Sequence, residues 1–126
     1  MRVLIADDSP VVRERLADLL RQISGVEVIG QAEDGTRALD LMRQLRPDVA
    51  ILDLRMPGRS GMDLLGAVKA GREVPRIIVL TNYWTPENRD KCMALGADHF
   101  FDKSNDVDKV IGVLKDLVQA SRSPKH

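Results

Sequence analysis

The feature that most narrows the folding choices of this chain is an alternation of five short apolar runs with five helical patterns, without any internal repeat. The runs are Arg2–Ala6, Val26–Ala32, Val49–Asp53, Arg76–Thr81 and Ala97–Phe101. Several are apolar at consecutive positions, as in Val3-Leu4-Ile5 and Ile77-Ile78-Val79-Leu80. A strand that is apolar on both sides must be covered on both faces, so such strands alternating with helices specify a parallel sheet. Right-handed crossovers then give a three-layer, doubly wound α/β sandwich of the (βα)5 kind.

The helical segments carry their own punctuation. Ser9-Pro10 is an N-cap followed by proline at the first helical position. Val12, Leu16, Leu19, Leu20 and Ile23 then fall on one helical face, and Gly25 stops the run. Asp34-Gly35 opens a second helix with Ala38, Leu41, Met42 and Leu45 on one side, ended by Pro47. Ser60 with Asp63 fits a capping box for the third helix, and Thr85-Pro86 opens the fourth, which ends near Gly96. The fifth carries the clearest stripe: Val107, Val110, Ile111, Leu114, Leu117 and Val118. A chain of 126 residues predicts one domain, over 1–120, with Ser121–His126 as a disordered tail or linker stub.

Charge and composition exclude some functions. Nineteen basic residues balance nineteen acidic ones, without the basic excess of a nucleic-acid or anionic-membrane binder. Apolar runs of about five residues fall far short of the ~20 needed to span a membrane. With no leader-like segment before the first strand, and only Cys92 as a thiol, the expected location is cytoplasmic.

In open α/β sheets the ligand lies beyond the carboxyl ends of the strands. There the chain carries Asp7-Asp8 after the first strand, Asp53 at the end of the third, Thr81 at the end of the fourth and Lys103 after the fifth. Singly, each is an ordinary turn or surface residue. If the first and third strands are neighbours, three carboxylates converge, and each pair ~4 Å apart repels by roughly 4 kcal/mol at an effective dielectric near 20. A hard divalent cation resolves that conflict, and an all-oxygen donor set suits Mg²⁺. A metal, a lysine, a hydroxyl and a carboxylate aimed at one spot are equipment for phosphoryl transfer, with Asp53 as nucleophile.

Taken together, these residues resemble the receiver domains of two-component response regulators over about residues 1–118. The landmarks are Asp7-Asp8 after Val3-Leu4-Ile5-Ala6, then Ala32-Glu33-Asp34-Gly35, Asp53-Leu54-Arg55-Met56-Pro57 with Gly61, Thr81, Gly96-Ala97 and Asp102-Lys103. The resemblance implies a flavodoxin-like sheet of strand order 2-1-3-4-5 and Asp53 as phosphoacceptor. It implies Mg²⁺ (or Mn²⁺) held by Asp8 directly, by Asp7 largely through water, by Asp53 and by the backbone carbonyl of Arg55. Thr81 and Lys103 would sense the phosphoryl group, and Thr81 with Phe100 would form the switch. The phosphodonor would be a sensor histidine kinase, a phosphotransfer protein or a small acyl phosphate. A downstream protein target would dock on the helix 4–strand 5–helix 5 face of a monomer or phosphorylation-dependent dimer. The implied chemistry is self-phosphorylation and autodephosphorylation, not that of a conventional enzyme.

The chain departs from many receivers in three places. Phe100 lacks the hydroxyl that some carry there as tyrosine. Ser104 stands where proline is common, and a non-proline cis bond costs ~3–4 kcal/mol, which tells against a cis peptide after Lys103. Asn82-Tyr83-Trp84 is bulky for the segment after Thr81. Arg55 and Tyr83 each lie two residues past a site residue, where they could flank and shield the phosphoryl group. Trp84 reads equally as a docking residue or as loop packing, His99 as solvent- or partner-facing, and Cys92 as helix packing.

Three other readings compete. A flavodoxin-like flavin carrier would need a hydroxyl- and glycine-rich phosphate cradle where Asp7-Asp8 stands. A phosphatase or phosphomutase with an aspartate nucleophile on the first strand usually has Asp-x-Asp there. Within the receiver class, the chain could be free-standing or the N-terminal part of a longer regulator with a DNA-binding or catalytic output domain. The short segment after the last helix favours the free-standing form.

Overall fold

The computed structural model describes residues 1–58, 60–71 and 74–122, with five strands and five helices in strict alternation. They are β1 (Arg2–Ala6), α1 (Pro10–Arg21), β2 (Glu27–Ala32), α2 (Gly35–Leu45), β3 (Val49–Leu52), α3 (Gly61–Lys69), β4 (Arg76–Thr81), α4 (Pro86–Ala94), β5 (His99–Asp102) and α5 (Val107–Arg122). All strand pairs are parallel, in the order β2-β1-β3-β4-β5.

Successive side chains of a strand point to opposite faces, and here both faces are buried. Leu4, Ala6, Ala50, Leu52, Ile77 and Val79 point to the side covered by α2, α3 and α4, where Leu39, Met42, Leu64, Leu65 and Cys92 meet them. Val3, Ile5, Val49, Ile51, Ile78 and Leu80 point to the other side, against Leu16, Ala17 and Leu20 of α1 and Val110 and Leu114 of α5. Two apolar layers on one sheet are why the central strands have no polar face.

The expected N-caps form, although at Ser60 only one of the two bonds of the capping box with Asp63 is present among the described residues. Ser9 Oγ accepts from Val12 N, Asp34 Oδ1 from Arg37 N, Ser60 Oγ from Asp63 N and Thr85 Oγ1 from Asn88 N. Some details differ from the sequence expectation. Leu19 stays 38% exposed on the rim of α1, and fully buried Ala17 takes its place in the core. In α4 the expected packing role of Cys92 holds: it is that helix's sole buried residue, while Met93 and Ala94 are exposed. β5 starts two residues later than expected, because the Asp98 carboxylate, not a further strand residue, accepts from Ile77 N at 2.8 Å. α5 extends through Ser121 and Arg122, which were expected in the tail; residues 123–126 lie outside those described. Among the described residues no peptide bond is cis, so Lys103–Ser104 is trans. No described helix is long and apolar enough to cross a membrane.

Candidate functional site

The strand order reverses direction between β1 and β3, and the crevice at their carboxyl ends is the expected ligand position. Two backbone bonds continue the ladder just past the strands: Asp7 N donates to Ala32 O and Asp53 N to Ala6 O, both at 3.0 Å. Asp53, expected as the last strand residue, is instead the first residue after β3, and that second bond fixes it beside β1. On the far side, Lys103 N donates to Thr81 O at 2.9 Å, tying the loop after β5 to the end of β4.

This placement gathers the acids. Oxygens of Asp7, Asp8 and Asp53 lie within 4.8 Å of one another, with Asp7 and Asp53 buried and Asp8 exposed. Lys103 Nζ stands 2.6 Å from Asp7 Oδ2 and 3.0 Å from Asp53 Oδ2. Burial alone would lower the Lys103 pKa, but the hydrogen bonds and charges of the two aspartates outweigh it, and the pKa is raised. Asp7 Oδ1 accepts from Ser9 N at 2.9 Å. Among the described residues Asp8 has no hydrogen-bond or ion-pair partner, and neither has the Arg55 carbonyl oxygen. The donor set is hard and all-oxygen, and its exposed side leaves room for the waters that Mg²⁺ retains. The residues therefore fit a divalent cation.

Thr81 is fully buried at the end of β4, but its hydroxyl accepts from Tyr83 N at 3.1 Å and does not bond Asp53. The Arg55 guanidinium lies over the Tyr83 ring at 4.1 Å, so these two residues do meet across the loops flanking Asp53. Phe100 is buried in the core layer of α2–α4 with its ring 6.4 Å from that of Trp84. Trp84 packs near Phe100 and under the Arg89 guanidinium, as the loop-packing reading has it, and remains 39% exposed. His99 is half-buried and stacked on Phe101 at 5.5 Å, and so is not simply solvent-facing. A cleft lined by Met42, Arg46, Val68 and Pro75 lies at the amino ends of the strands, remote from the acids.

Sequence reasoning missed two supports. Arg13 Nη1 donates to the Asp7 carbonyl oxygen at 2.6 Å, a contact that no spacing rule singles out. Around Lys103, Asp102 Oδ1 accepts from Ser104 N and Asp106 Oδ2 from Asp102 N, both at 2.9 Å. The Asp-Lys-Ser-Asn-Asp run is rich in residues that hydrogen-bond their own backbone, a signal that could have marked this loop. The bond from the Asp102 amide, followed by Lys109, holds the Asp106 pKa below its ordinary value.

The family model described as the response regulator receiver domain matches residues 3–115. A protein-glutamate methylesterase/protein-glutamine glutaminase of Koribacter versatilis is 35% identical over 99% of this chain and 37% of its own length. The nitrate/nitrite response regulator NarP of Escherichia coli is 33% identical over 96% of this chain and 56% of its own. The chain thus spans from about a third to little more than half of these two relatives. Among solved structures, the NarL receiver domain of Mycobacterium tuberculosis superposes with a TM-score of 0.86 at 31% identity, covering 94% of this chain and 95% of that one. A chain of the CheX–CheY–BeF3–Mg²⁺ complex of Borrelia burgdorferi gives 0.85 at 25% identity, over 93% and 88%. The strand order, the acids gathered at the β1/β3 crevice and the match over residues 3–115 agree: this chain belongs to the response regulator receiver domain family.

Proposed function

We propose that Asp53 accepts a phosphoryl group from a phosphohistidine of a sensor kinase or phosphotransfer protein, or from a small acyl phosphate. The observation that carries this reading is the fixed Asp53, bonded through its backbone to β1 and through its carboxylate to Lys103, with Asp7 and Asp8 alongside. A carboxylate oxygen of Asp53 forms the new P–O bond while the bond from phosphorus to the donor breaks, leaving an aspartyl phosphate. Asp7, Asp8, Asp53 and the Arg55 carbonyl would hold Mg²⁺ (or Mn²⁺), which neutralises charge on the phosphoryl oxygens. Lys103 already faces Asp53 and supplies a second positive charge.

The added group brings roughly one and a half to two negative charges and strong acceptor oxygens. The Thr81 hydroxyl turns from Tyr83 N toward them, the β4–α4 loop follows, and Phe100 moves with it. This re-presents the α4–β5–α5 face to a protein target. Arg55 and Tyr83, stacked over one another beside Asp53, shield the phosphoryl group from water.

The test is intact-protein mass spectrometry after incubation with acetyl phosphate and Mg²⁺. Wild type gains one phosphoryl mass and Asp53→Ala gains none. No gain on wild type, or equal labelling of both, overturns the assignment.

A second reading concerns output. Because the chain spans 37% of one relative and 56% of another, the receiver could act within a longer regulator, through a transcriptional or methylesterase portion. The mass of the native polypeptide in its source cells decides this.

A further inference from the structure

We propose that Arg13 is a positioning residue for the divalent cation: it fixes the peptide plane from which Asp8 projects. The proposal rests on the reading of Asp7, Asp8 and Asp53 as a cation site. Asp8 is exposed and has no protein partner among the described residues, so no side-chain bond aims its carboxylate. Its direction is inherited from the backbone of the turn between β1 and α1. The Asp7 carbonyl belongs to the Asp7–Asp8 peptide, and its oxygen accepts from Arg13 Nη1 at 2.6 Å. Charge-assisted bonds of this kind are roughly twice as strong as neutral ones.

The other bonds on the turn stop on either side of that peptide. Asp7 N is held by Ala32 O, Asp7 Oδ1 by Ser9 N, and Ser9 Oγ caps Val12. Arg13 is itself anchored, since it lies in the first turn of α1, is half-buried and donates its backbone N–H to Ser9 O at 3.0 Å. A rigid helix thus reaches back six residues to hold the one peptide that would otherwise swing.

The sign of the effect separates this role from plain electrostatics. A guanidinium beside a cation site repels the incoming ion, so on charge alone its removal tightens Mg²⁺ binding. If Arg13 positions Asp8, removal weakens it, and loss of a group that orients a ligand typically costs ~10–100-fold in affinity.

The experiment is calorimetric titration with Mg²⁺, without phosphodonor, on wild type, Arg13→Met, Arg13→Lys and Asp8→Asn, with melting curves in chelator. Arg13→Met is expected to bind about tenfold more weakly, and Arg13→Lys, which keeps a charged donor, recovers most of the loss. Should Arg13→Met fail to fold, Arg13→Gln takes its place with the same criterion. Unchanged or tighter Mg²⁺ binding overturns the proposal, even if the melting point falls, since the residue is then only a brace for α1. Failure of wild type to bind Mg²⁺, or equal binding by Asp8→Asn, overturns the cation-site reading instead.

Discussion

Lys103 sits where Asp7 and Asp53 would otherwise face each other unopposed, and its ammonium bridges both. Its pKa is raised, so the ion pair's stabilisation is fully present below the ordinary lysine value of ~10.4 and is lost as pH rises through the raised one. Removing one partner of a sealed pair costs ~3–5 kcal/mol. This site opens to water at Asp8, so about 1–2 kcal/mol is expected for Lys103→Met at neutral pH. Urea midpoints of the two proteins should differ by a constant amount from pH 7 to about 10 and converge above it. Arg55 and Tyr83 carry a second residue-scale prediction. The double variant Arg55→Asn/Tyr83→Ala should lose its aspartyl phosphate several-fold faster, followed as decay of the phosphoryl mass. An unchanged rate removes the shield. The acids, Thr81 and Lys103 were legible in the sequence because strand ends announce themselves. Arg13 was not, since its partner is a backbone atom, which leaves no mark in residue identity, and the Asp106 contacts were signalled only by the turn-forming residue types of that loop.

Among the elements, α3 begins at Gly61 in close contact with the segment that bears Asp53. A Cβ on Gly61 would lie 2.7 Å from Asp53 O and 2.8 Å from Leu54 Cα, and neither neighbour is a side chain that can step aside. Gly61 N also donates to Leu54 O at 2.8 Å, closing the loop on the segment that bears Asp53. Gly61→Ala should therefore cost about 1–3 kcal/mol in denaturant unfolding and slow phosphoryl uptake from acetyl phosphate. Normal stability with normal uptake would show that the loop relaxes freely. Helix starts were readable because a cap is a local bond, as at Ser9, Asp34, Ser60 and Thr85. The β5 boundary was not, because Asp98 substitutes a side-chain oxygen for a ladder carbonyl, which only the pairing with β4 reveals.

Across the whole molecule, stability is unevenly distributed. The sheet and α1 are sealed by two apolar layers, whereas α4 buries only Cys92. Elements with few buried contacts open first, so amides of 86–94 should exchange well before those of 10–21 in hydrogen-exchange mass spectrometry. Equal protection would contradict a loosely held α4. The three-layer architecture could be derived from strands apolar on both faces, but their lateral order could not, because a buried strand looks the same in any central position. That order came with the family resemblance. The contact between Trp84 and Phe100 has a practical consequence. The chain's single tryptophan is an intrinsic fluorophore against the aromatic proposed to move, with the Arg89 guanidinium 5.8 Å from its ring centre. If Phe100 moves as proposed, Trp84 emission should change on phosphorylation, a real-time optical read-out that needs no label.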